Sequence, residues 1–377
     1  MTPQAFVIAS SRALPGNHRG TRHVMTNVRR FLNLVCVSMV GLLLMAITSF
    51  LYSLHVLELR WMSSLLAVAD VRRDQFSFAA HPVNVETTSY PWVGDPTCQH
   101  HAVQFAKNQS RPKWALTSFP GSGVTWTRQL IEGVTGIYTG TVHGSNEPPI
   151  VSTGHYGNWA DLNCDCTILI KDHDGTSVNN IPDYLETTSN LTSNPAWRDY
   201  YQHRGILLIR NPIDTLFTYA HYLLSGNDQK GTGTPEDFAG PHWDEHVDYV
   251  ALAWADHAKR WIQNIKEGTV VFYERLLQDT ENELRRLLKA IHFTDPNRPP
   301  VDPERMRCTL QHKNRSDRKR TKKLTVPLSS EHYAKLMSSI DKVQRMLLKK
   351  GWPPLPIDLY DLRKPDVTPA ALQHFKE

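Results

Sequence analysis

A strand-like run that leads through a glycine-rich loop into a helix constrains this fold more than any other feature. Residues 114–131 read WALTSFPGSGVTWTRQLI, with Gly121 and Gly123 in the loop and Thr125 just after it. Glycines let the backbone turn tightly, so that successive N–H groups and the positive helix end point at one anion. The segment therefore predicts a phosphate site in an α/β protein, although a plain glycine turn has the same pattern.

This loop differs from that of nucleoside-triphosphate kinases. Those enzymes need G-x-x-x-x-G-K-[ST], in which the lysine holds the terminal phosphates and the hydroxyl binds magnesium. No lysine follows Gly123. The loop therefore favours a nucleotide with a 5′ phosphate group and no metal-bridged triphosphate.

A second segment, residues 205–222, reads GILLIRNPIDTLFTYAHY. Asn211 is suited to cap a helix that has Pro212 at its first position. Arg210 then ends a strand, where α/β folds bind ligands, and Thr218 lies about two helical turns further on. We expect Arg210 to grip a second phosphate, with an ion pair at the sheet edge as the alternative.

Hydrophobic periodicity predicts a P-loop-like parallel sheet flanked by helices. Short apolar runs typical of buried parallel strands alternate with helical stretches. The expected strands are 115–119, 167–171, 205–210 and 269–273, and the expected helices are 244–267, about 274–291 and 330–350. Gly268 is expected to stop the first of these helices.

The N-terminal part of the chain predicts one transmembrane helix before this domain. Residues 31–57 contain no Asp, Glu, Lys or Arg and exceed the roughly 20 apolar residues that span a bilayer. Five arginines and no acidic residue precede them, which places the N-terminus in the cytosol. A cleaved signal peptide is the alternative, but its apolar core is normally shorter.

We expect five regions along the chain: a cytosolic tail at 1–30, a signal anchor at 31–57, a lumenal stem at 58–112, a catalytic domain at 113–365 and a tail at 366–377. With 42 Lys+Arg against 37 Asp+Glu, the 377 residues describe neither a disordered chain nor a histone-like nucleic-acid binder. Three lumenal sequons begin at Asn108, Asn190 and Asn314.

Four cysteines lie on the expected lumenal side: Cys98, Cys164, Cys166 and Cys308. An even number in an oxidising compartment permits two disulfides, with three possible connectivities. Cys164 and Cys166 are too close in sequence for the usual zinc-ligand spacing. No metal is therefore expected.

Together the two phosphate motifs resemble the sulfotransferase family. Its 5′-phosphosulfate loop reads like SFPGSGVTW, and its 3′-phosphate motif reads like RNPIDTLFTY. The form FPGSG-x-TW-x-R, followed by IEG-x-TGIYTG, is most similar to the WSC-domain-containing sulfotransferases, which are membrane-anchored enzymes of the secretory pathway. The resemblance covers about 114–352, and this chain lacks their cysteine-rich WSC modules.

The resemblance implies 3′-phosphoadenylyl sulfate as the sulfuryl donor. It places Ser122, Gly123, Val124 and Thr125 around the 5′ phosphate, and Trp126 near the adenine. Arg210 and Thr218 match the residues that hold the 3′ phosphate. Tyr273 matches an aromatic residue near the nucleotide, and Lys319 and Arg320 match a basic segment that closes over the 3′ phosphate.

Gly121 stands where cytosolic members of the family carry a lysine that touches the donor, so another cation is expected to serve. The strand that ends at Lys171 and His173 resembles the catalytic strand of the family. By its position in the family order, the resemblance makes His173 the expected base, since a neutral imidazole accepts a proton readily near neutral pH. Asp172 or Asp174 are alternatives, and the run KDHD by itself would indicate a surface turn. Lys171 and Arg128 are expected to stabilise the sulfuryl oxygens.

The resemblance implies a Golgi type II membrane sulfotransferase that acts on a hydroxyl of a glycan or glycoconjugate, and it points to sialylated glycans. A silent lectin-like protein that retains the nucleotide pocket is one alternative, since the loop lysine is missing. A P-loop kinase is another, and tyrosine sulfation is a variant of the first reading.

Overall fold

A computed structural model describes residues 38–39, 41, 43, 45–49, 88–143, 156–178, 180–193, 200–225, 233–294, 300–314 and 325–362. Chain contacts divide the protein into residues 1–69 and residues 70–377. In the first unit, the described residues between 38 and 49 are helical. No helix among the described residues is long and apolar enough to cross a bilayer. Most of the run 31–57 lies outside them, so the anchor stays a prediction.

The second unit contains five strands in its described part. They are β1 (Ala115–Ser118), β2 (Gly140–Thr141), β3 (Ile170–Asp172), β4 (Arg204–Ile209) and β5 (Glu267–Phe272). The α-helices are α1 (Val124–Thr135), α2 (Ile181–Ser193), α3 (Pro212–Ser225), α4 (Pro241–Asn264), α5 (Tyr273–Gln278), α6 (Thr280–Ala290), α7 (Pro303–Gln311) and α8 (Ser330–Lys350). Short 3₁₀ turns lie at Tyr156–Trp159, Leu162–Cys164, Pro235–Phe238 and Ile357–Leu359.

The strands form one parallel sheet in the order β2-β3-β1-β4-β5, which confirms the predicted fold class. β1 lies in the centre, with β3 on one side and β4 on the other. The chain passes from β1 to β2 and β3 on one side and then crosses to β4 and β5 on the other side of β1. Such a change of direction opens a crevice at the carboxyl end of the central strand, where open α/β sheets bind ligands.

Helices cover both faces of the sheet and bury alternate residues of each strand. Leu207 belongs to the core on the face covered by α3, α4 and α8, which includes Trp254. Leu208 belongs to the core on the opposite face, with Leu130 of α1 and Leu287 of α6. This double burial explains why the strands read as continuous apolar runs.

Two predicted helices differ from the observed ones. The helix predicted at 244–267 is α4, Pro241–Asn264, and Gly268 does not stop it but lies inside β5. The helix predicted at about 274–291 is divided into α5 and α6 at Asp279. The Asp279 side chain accepts a hydrogen bond from the Asn282 amide and so caps α6.

Residues 88–112, predicted as part of a stem, pack against the domain. Trp92 and Cys98 are buried, and Cys98 forms a disulfide with Cys308 of α7, 210 residues away in sequence. The second disulfide joins Cys164 to Cys166. Of the three connectivities left open by the sequence, the structure has the one that ties this N-terminal segment to α7.

Gly268 allows β4 and β5 to pair closely. Its φ is +136°, and a Cβ there would lie 1.8 Å from the Gly205 carbonyl oxygen. We expect Gly268→Ala to lower the free energy of unfolding by about 3 kcal/mol or more, because strain and a backbone clash add. Gly351→Ala is the control, since Gly351 has φ +76° with nothing within 4 Å of the added Cβ; it should cost about 1 kcal/mol. Equal losses in urea unfolding would contradict this account.

Candidate active site

The glycine loop joins the carboxyl end of β1 to the first turn of α1. Gly121 has φ +83° and Gly123, the N-cap of α1, has φ +87°. Because Gly123 has no side chain, it cannot accept a hydrogen bond from the amides of the first turn. The first-turn amides and the positive end of the helix dipole are therefore available to an anion, as predicted for this loop.

Neighbouring elements press on both glycines. A Cβ on Gly123 would lie 2.4 Å from the ring of Tyr273, the first residue of α5. A Cβ on Gly121 would lie 3.0 Å from the Thr215 carbonyl oxygen in α3. The loop therefore requires glycine for close packing as well as for its backbone angles.

Arg210 connects the two predicted phosphate motifs. Its Nη1 donates hydrogen bonds to the Gly121 carbonyl at 3.0 Å and to Thr218 Oγ1 at 3.2 Å. Its guanidinium carbon lies 4.5 Å from the centre of the Tyr273 ring. Three segments that are distant in sequence thus meet beside the loop, and every residue named here was predicted from its own motif.

Ser122 Oγ in the glycine loop and Nε of Arg210 beside it are buried and have no hydrogen-bond partner among the described residues. Ser122 is 1% exposed, so water does not readily satisfy its hydroxyl. A buried donor without a partner costs free energy. A phosphate-bearing ligand at the loop would supply acceptors for both groups.

Trp126 and Tyr273 form the aromatic side of the loop. Their ring centroids lie 5.4 Å apart in an edge-on arrangement. Trp126 Nε1 donates to the Lys313 carbonyl at 2.7 Å, which connects α1 to the chain that follows α7. Val124 and Thr125, in the first turn, are buried. Lys319 and Arg320 lie outside the described residues, so their contact with the 3′ phosphate stays a prediction.

The ends of β4 and β5 are joined by Glu274, which the sequence analysis did not single out. Glu274 Oε1 accepts the Asn211 amide at 2.8 Å. The Asn211 side chain caps α3 by accepting from the Ile213 amide, as predicted. Burial raises the pKa of Glu274 to about 7. This carboxyl group is next to Tyr273 in α5, and so its charge state affects the aromatic side of the loop.

His173 follows β3 on the other side of β1. Its Nδ1 lies 2.7 Å from the Ser118 carbonyl oxygen. A carbonyl oxygen only accepts hydrogen bonds, so Nδ1 carries a hydrogen and Nε2 of the neutral ring keeps its lone pair. The backbone of β1 thereby sets the tautomer that a general base needs.

His143 lies beside His173, with ring centroids 5.3 Å apart. It was missed because nothing in its local sequence marks it. The signal is positional: His143 follows β2 as His173 follows β3, and the two strands are neighbours in register. Parallel strands bring residues at their carboxyl ends together.

Lys171 and Arg128 are more deeply buried than their predicted roles suggest. Lys171 lies on β3, opposite Leu116 of β1, and is 3% exposed. Arg128 has no exposed surface and donates to Thr139 Oγ1 at 2.6 Å and to Asn158 Oδ1 at 2.7 Å. These contacts hold the edge at β2 in place. They count against a direct contact of Arg128 with the sulfuryl oxygens. That role of Arg128 stays a prediction.

The two carboxylates beside His173 are committed to other groups. Asp172 Oδ2 accepts from the Tyr201 hydroxyl at 3.0 Å. Asp174 Oδ2 forms an ion pair with Arg260 of α4 at 2.9 Å. Both side chains therefore serve the packing of β3 against its neighbours, which counts against Asp172 and Asp174 as the base.

Comparison with known proteins identifies relatives of this chain. The sequence profile of the sulfotransferase domain matches residues 111–338. WSCD family member CG9164 of Drosophila melanogaster is 28% identical over 204 residues, 53% of this chain and 54% of that protein. WSCD family member AAEL009094 of Aedes aegypti is 27% identical over 210 residues, 55% and 56% of the two chains. The chain thus spans about half the length of these curated relatives.

Among solved structures, the crystal structure of mouse sulfotransferase SULT7A1 complexed with PAP aligns with a TM-score of 0.40 and 14% sequence identity. The alignment covers 65% of this chain and 88% of that chain. The profile and the WSCD relatives confirm the resemblance that the two phosphate motifs indicated.

Glu274 should make stability depend on pH. Its native pKa of about 7 exceeds the ordinary value of 4.5, so the native state keeps the proton that the unfolded chain releases. Its contribution is therefore complete below about pH 4.5 and is lost as the pH rises to about 7, by about 3 kcal/mol.

Glu274→Gln keeps an acceptor for the Asn211 amide but does not ionise. We expect the variant to gain stability relative to the wild type between about pH 4.5 and 7 and to keep a constant difference above that. Urea unfolding of the full chain across this range measures the difference. A difference that does not change with pH would show that Glu274 is ionised in the native protein.

Proposed function

This chain belongs to the sulfotransferase domain family, and from that premise we propose that it transfers a sulfuryl group from 3′-phosphoadenylyl sulfate to a hydroxyl group of a glycan or glycoconjugate. The observation that carries the proposal is the meeting of Arg210, Ser122 and the α1 N-terminus at one loop. Together they present donors at two places, as a ligand with two separate phosphate groups requires.

The residues of the loop fit the donor nucleotide. Ser122 and the first-turn amides of α1 would hold the 5′ phosphate, and the guanidinium of Arg210 with the Thr218 hydroxyl would hold the 3′ phosphate. Trp126 and Tyr273 provide aromatic surface for the base. Ser122 Oγ and Arg210 Nε, which have no hydrogen-bond partner in the described part of the chain, support this assignment, because a bound nucleotide would satisfy both.

His173 is the proposed general base. Its Nε2 lone pair accepts the proton of the acceptor hydroxyl as that oxygen forms the new S–O bond and the bond to the nucleotide phosphate breaks. Adenosine 3′,5′-bisphosphate leaves with the electron pair of the broken bond. Alignment and nearby positive charge do most of the catalytic work in such transfers, and Lys171 is the proposed cation in place of the missing loop lysine.

We also propose that the protein is a single-pass type II protein of the Golgi membrane with its catalytic domain in the lumen. The apolar run 31–57, preceded by arginines, supports this orientation. Two disulfides support an oxidising compartment. A glycan acceptor, sialylated in the favoured form, is consistent with that location.

Nucleotide preference tests the proposed donor site. Adenosine 3′,5′-bisphosphate at 100 times its dissociation constant should stabilise the full chain by about 2.7 kcal/mol in thermal unfolding, whereas ADP and ATP should have little effect. Arg210→Ala should remove most of this stabilisation, since the 3′ phosphate loses its cation. Arg285→Ala is the matched control, because Arg285 pairs with Glu281 on the exposed surface of α6.

A preference for ATP would favour the kinase reading and would refute the proposed donor. Absence of any shift in a folded sample would mean that the site no longer binds this nucleotide. Stabilisation without any sulfate transfer to glycans would favour a silent binding protein.

Removal of the base separates transfer from binding. His173→Ala should lower transfer of labelled sulfate to glycoproteins by at least about 100-fold, the usual contribution of a general base, and should leave stabilisation by adenosine 3′,5′-bisphosphate unchanged. His292→Ala, which alters an exposed pair with Glu267, is the control. Undiminished transfer in His173→Ala would remove His173 from this role, and transfer to acidic tyrosine peptides alone would redirect the acceptor.

A further inference from the structure

Two histidines and a glutamate gather where the segment 88–101 meets α7. Each of His100, His101 and Glu304 contributes one potential ligand atom, and these atoms all lie within 4.8 Å of one another. His100 Nε2 is 4.0 Å from Glu304 Oε2, and the two imidazole centroids are 4.1 Å apart. None of these residues belongs to the proposed transfer site.

The Cys98–Cys308 disulfide brings the three ligands together. His100 lies two residues after Cys98, and Glu304 lies four residues before Cys308 on the same face of α7. The Cα atoms of the two cysteines are 5.7 Å apart. The crosslink therefore brings the histidine pair to the first turn of α7 and keeps it there.

Arg305 holds the same segment from its other side. Its Nη2 donates to the Ala102 carbonyl at 2.7 Å, and its Nη1 donates to the Gly133 carbonyl at 3.0 Å. The residue directly after His101 is thus tied to α7. The cluster is organised by the fold before any ligand binds, which reduces the entropy that binding costs.

His101 is the buried member of the cluster. It is 6% exposed, and its Nε2 has no hydrogen-bond partner in the described part of the chain. A buried imidazole nitrogen without a hydrogen-bond partner is suited to bind a metal ion through its lone pair.

We propose that His100, His101 and Glu304 bind one Zn²⁺ ion, with a fourth position open to water. Two imidazoles and one carboxylate are a known zinc ligand set. Imidazole ligands favour zinc over Mg²⁺ and Ca²⁺, which prefer oxygen alone. The carboxylates of Glu304 and Asp302, whose side chain caps α7, offset the positive charge of Arg305.

This site differs from the expectation that the chain binds no metal, which considered only Cys164 and Cys166. The ion would fasten the segment 88–101 to α7 next to the disulfide, and its fourth position would remain accessible to water or another ligand. The neighbouring cluster of Asp95, Cys98 and His312 does not offer the same chemistry. Cys98 is in the disulfide, and Asp95 already accepts from Gln311 and His312.

Titration calorimetry with zinc chloride on the full chain, after treatment with EDTA, tests the site. We expect one tightly bound equivalent per chain and no comparable binding of calcium chloride. His100→Asn and Glu304→Gln, both at exposed positions, should each weaken zinc binding by more than about tenfold without unfolding the protein. His292→Ala, at an exposed histidine that also pairs with a carboxylate, should not.

Zinc binding of wild-type strength in both variants would assign the ion to other histidines and overturn the proposal. The lack of a stoichiometric zinc site in the wild type would do the same. Stabilisation by adenosine 3′,5′-bisphosphate should be equal in the wild type and both variants. The zinc site therefore fails or succeeds independently of the proposed transfer function.

Discussion

The central position of β1 in the parallel sheet is the constraint on which the rest of the site depends. Its carboxyl end contacts both neighbours: the Ser118 carbonyl faces His173 after β3, and the Gly121 carbonyl accepts from Arg210 after β4. Both contacts use backbone oxygens, so they follow from strand order and register more than from side-chain choice. The proposed base and the proposed phosphate residues therefore lie on opposite sides of one strand.

Close packing at the loop has a cost that a ligand would offset. Tyr273 leaves no room for a side chain on Gly123, while Ser122 Oγ and Arg210 Nε remain buried and unsatisfied among the described residues. Glu274 adds a carboxyl group that burial tends to keep protonated. A protein selected only for stability would avoid such groups, and their concentration at one loop is typical of binding sites.

The segment 88–112 shows how far a local pattern can mislead. Its weak periodicity indicated a stem, yet Trp92 and Cys98 are buried against α7. The segment contains little regular structure, so its sequence has no periodic pattern that would indicate burial. Its burial depends instead on contact with α7, to which Cys98 is joined through Cys308, 210 residues away. The same separation hides the cluster of His100, His101 and Glu304 from the sequence.

Local chemistry determined the parts of this protein that the sequence predicted well. The glycine loop, the cap at Asn211 and the helix at 330–350 each depend on residues close together in the chain, and each forms as expected. Tertiary structure alone decided the ring contact of His143 with His173, the hydrogen bond from the Asn211 amide to Glu274 and the burial of Arg128. These contacts join different strands and helices, and strand order, which no local pattern encodes, determines which of them meet.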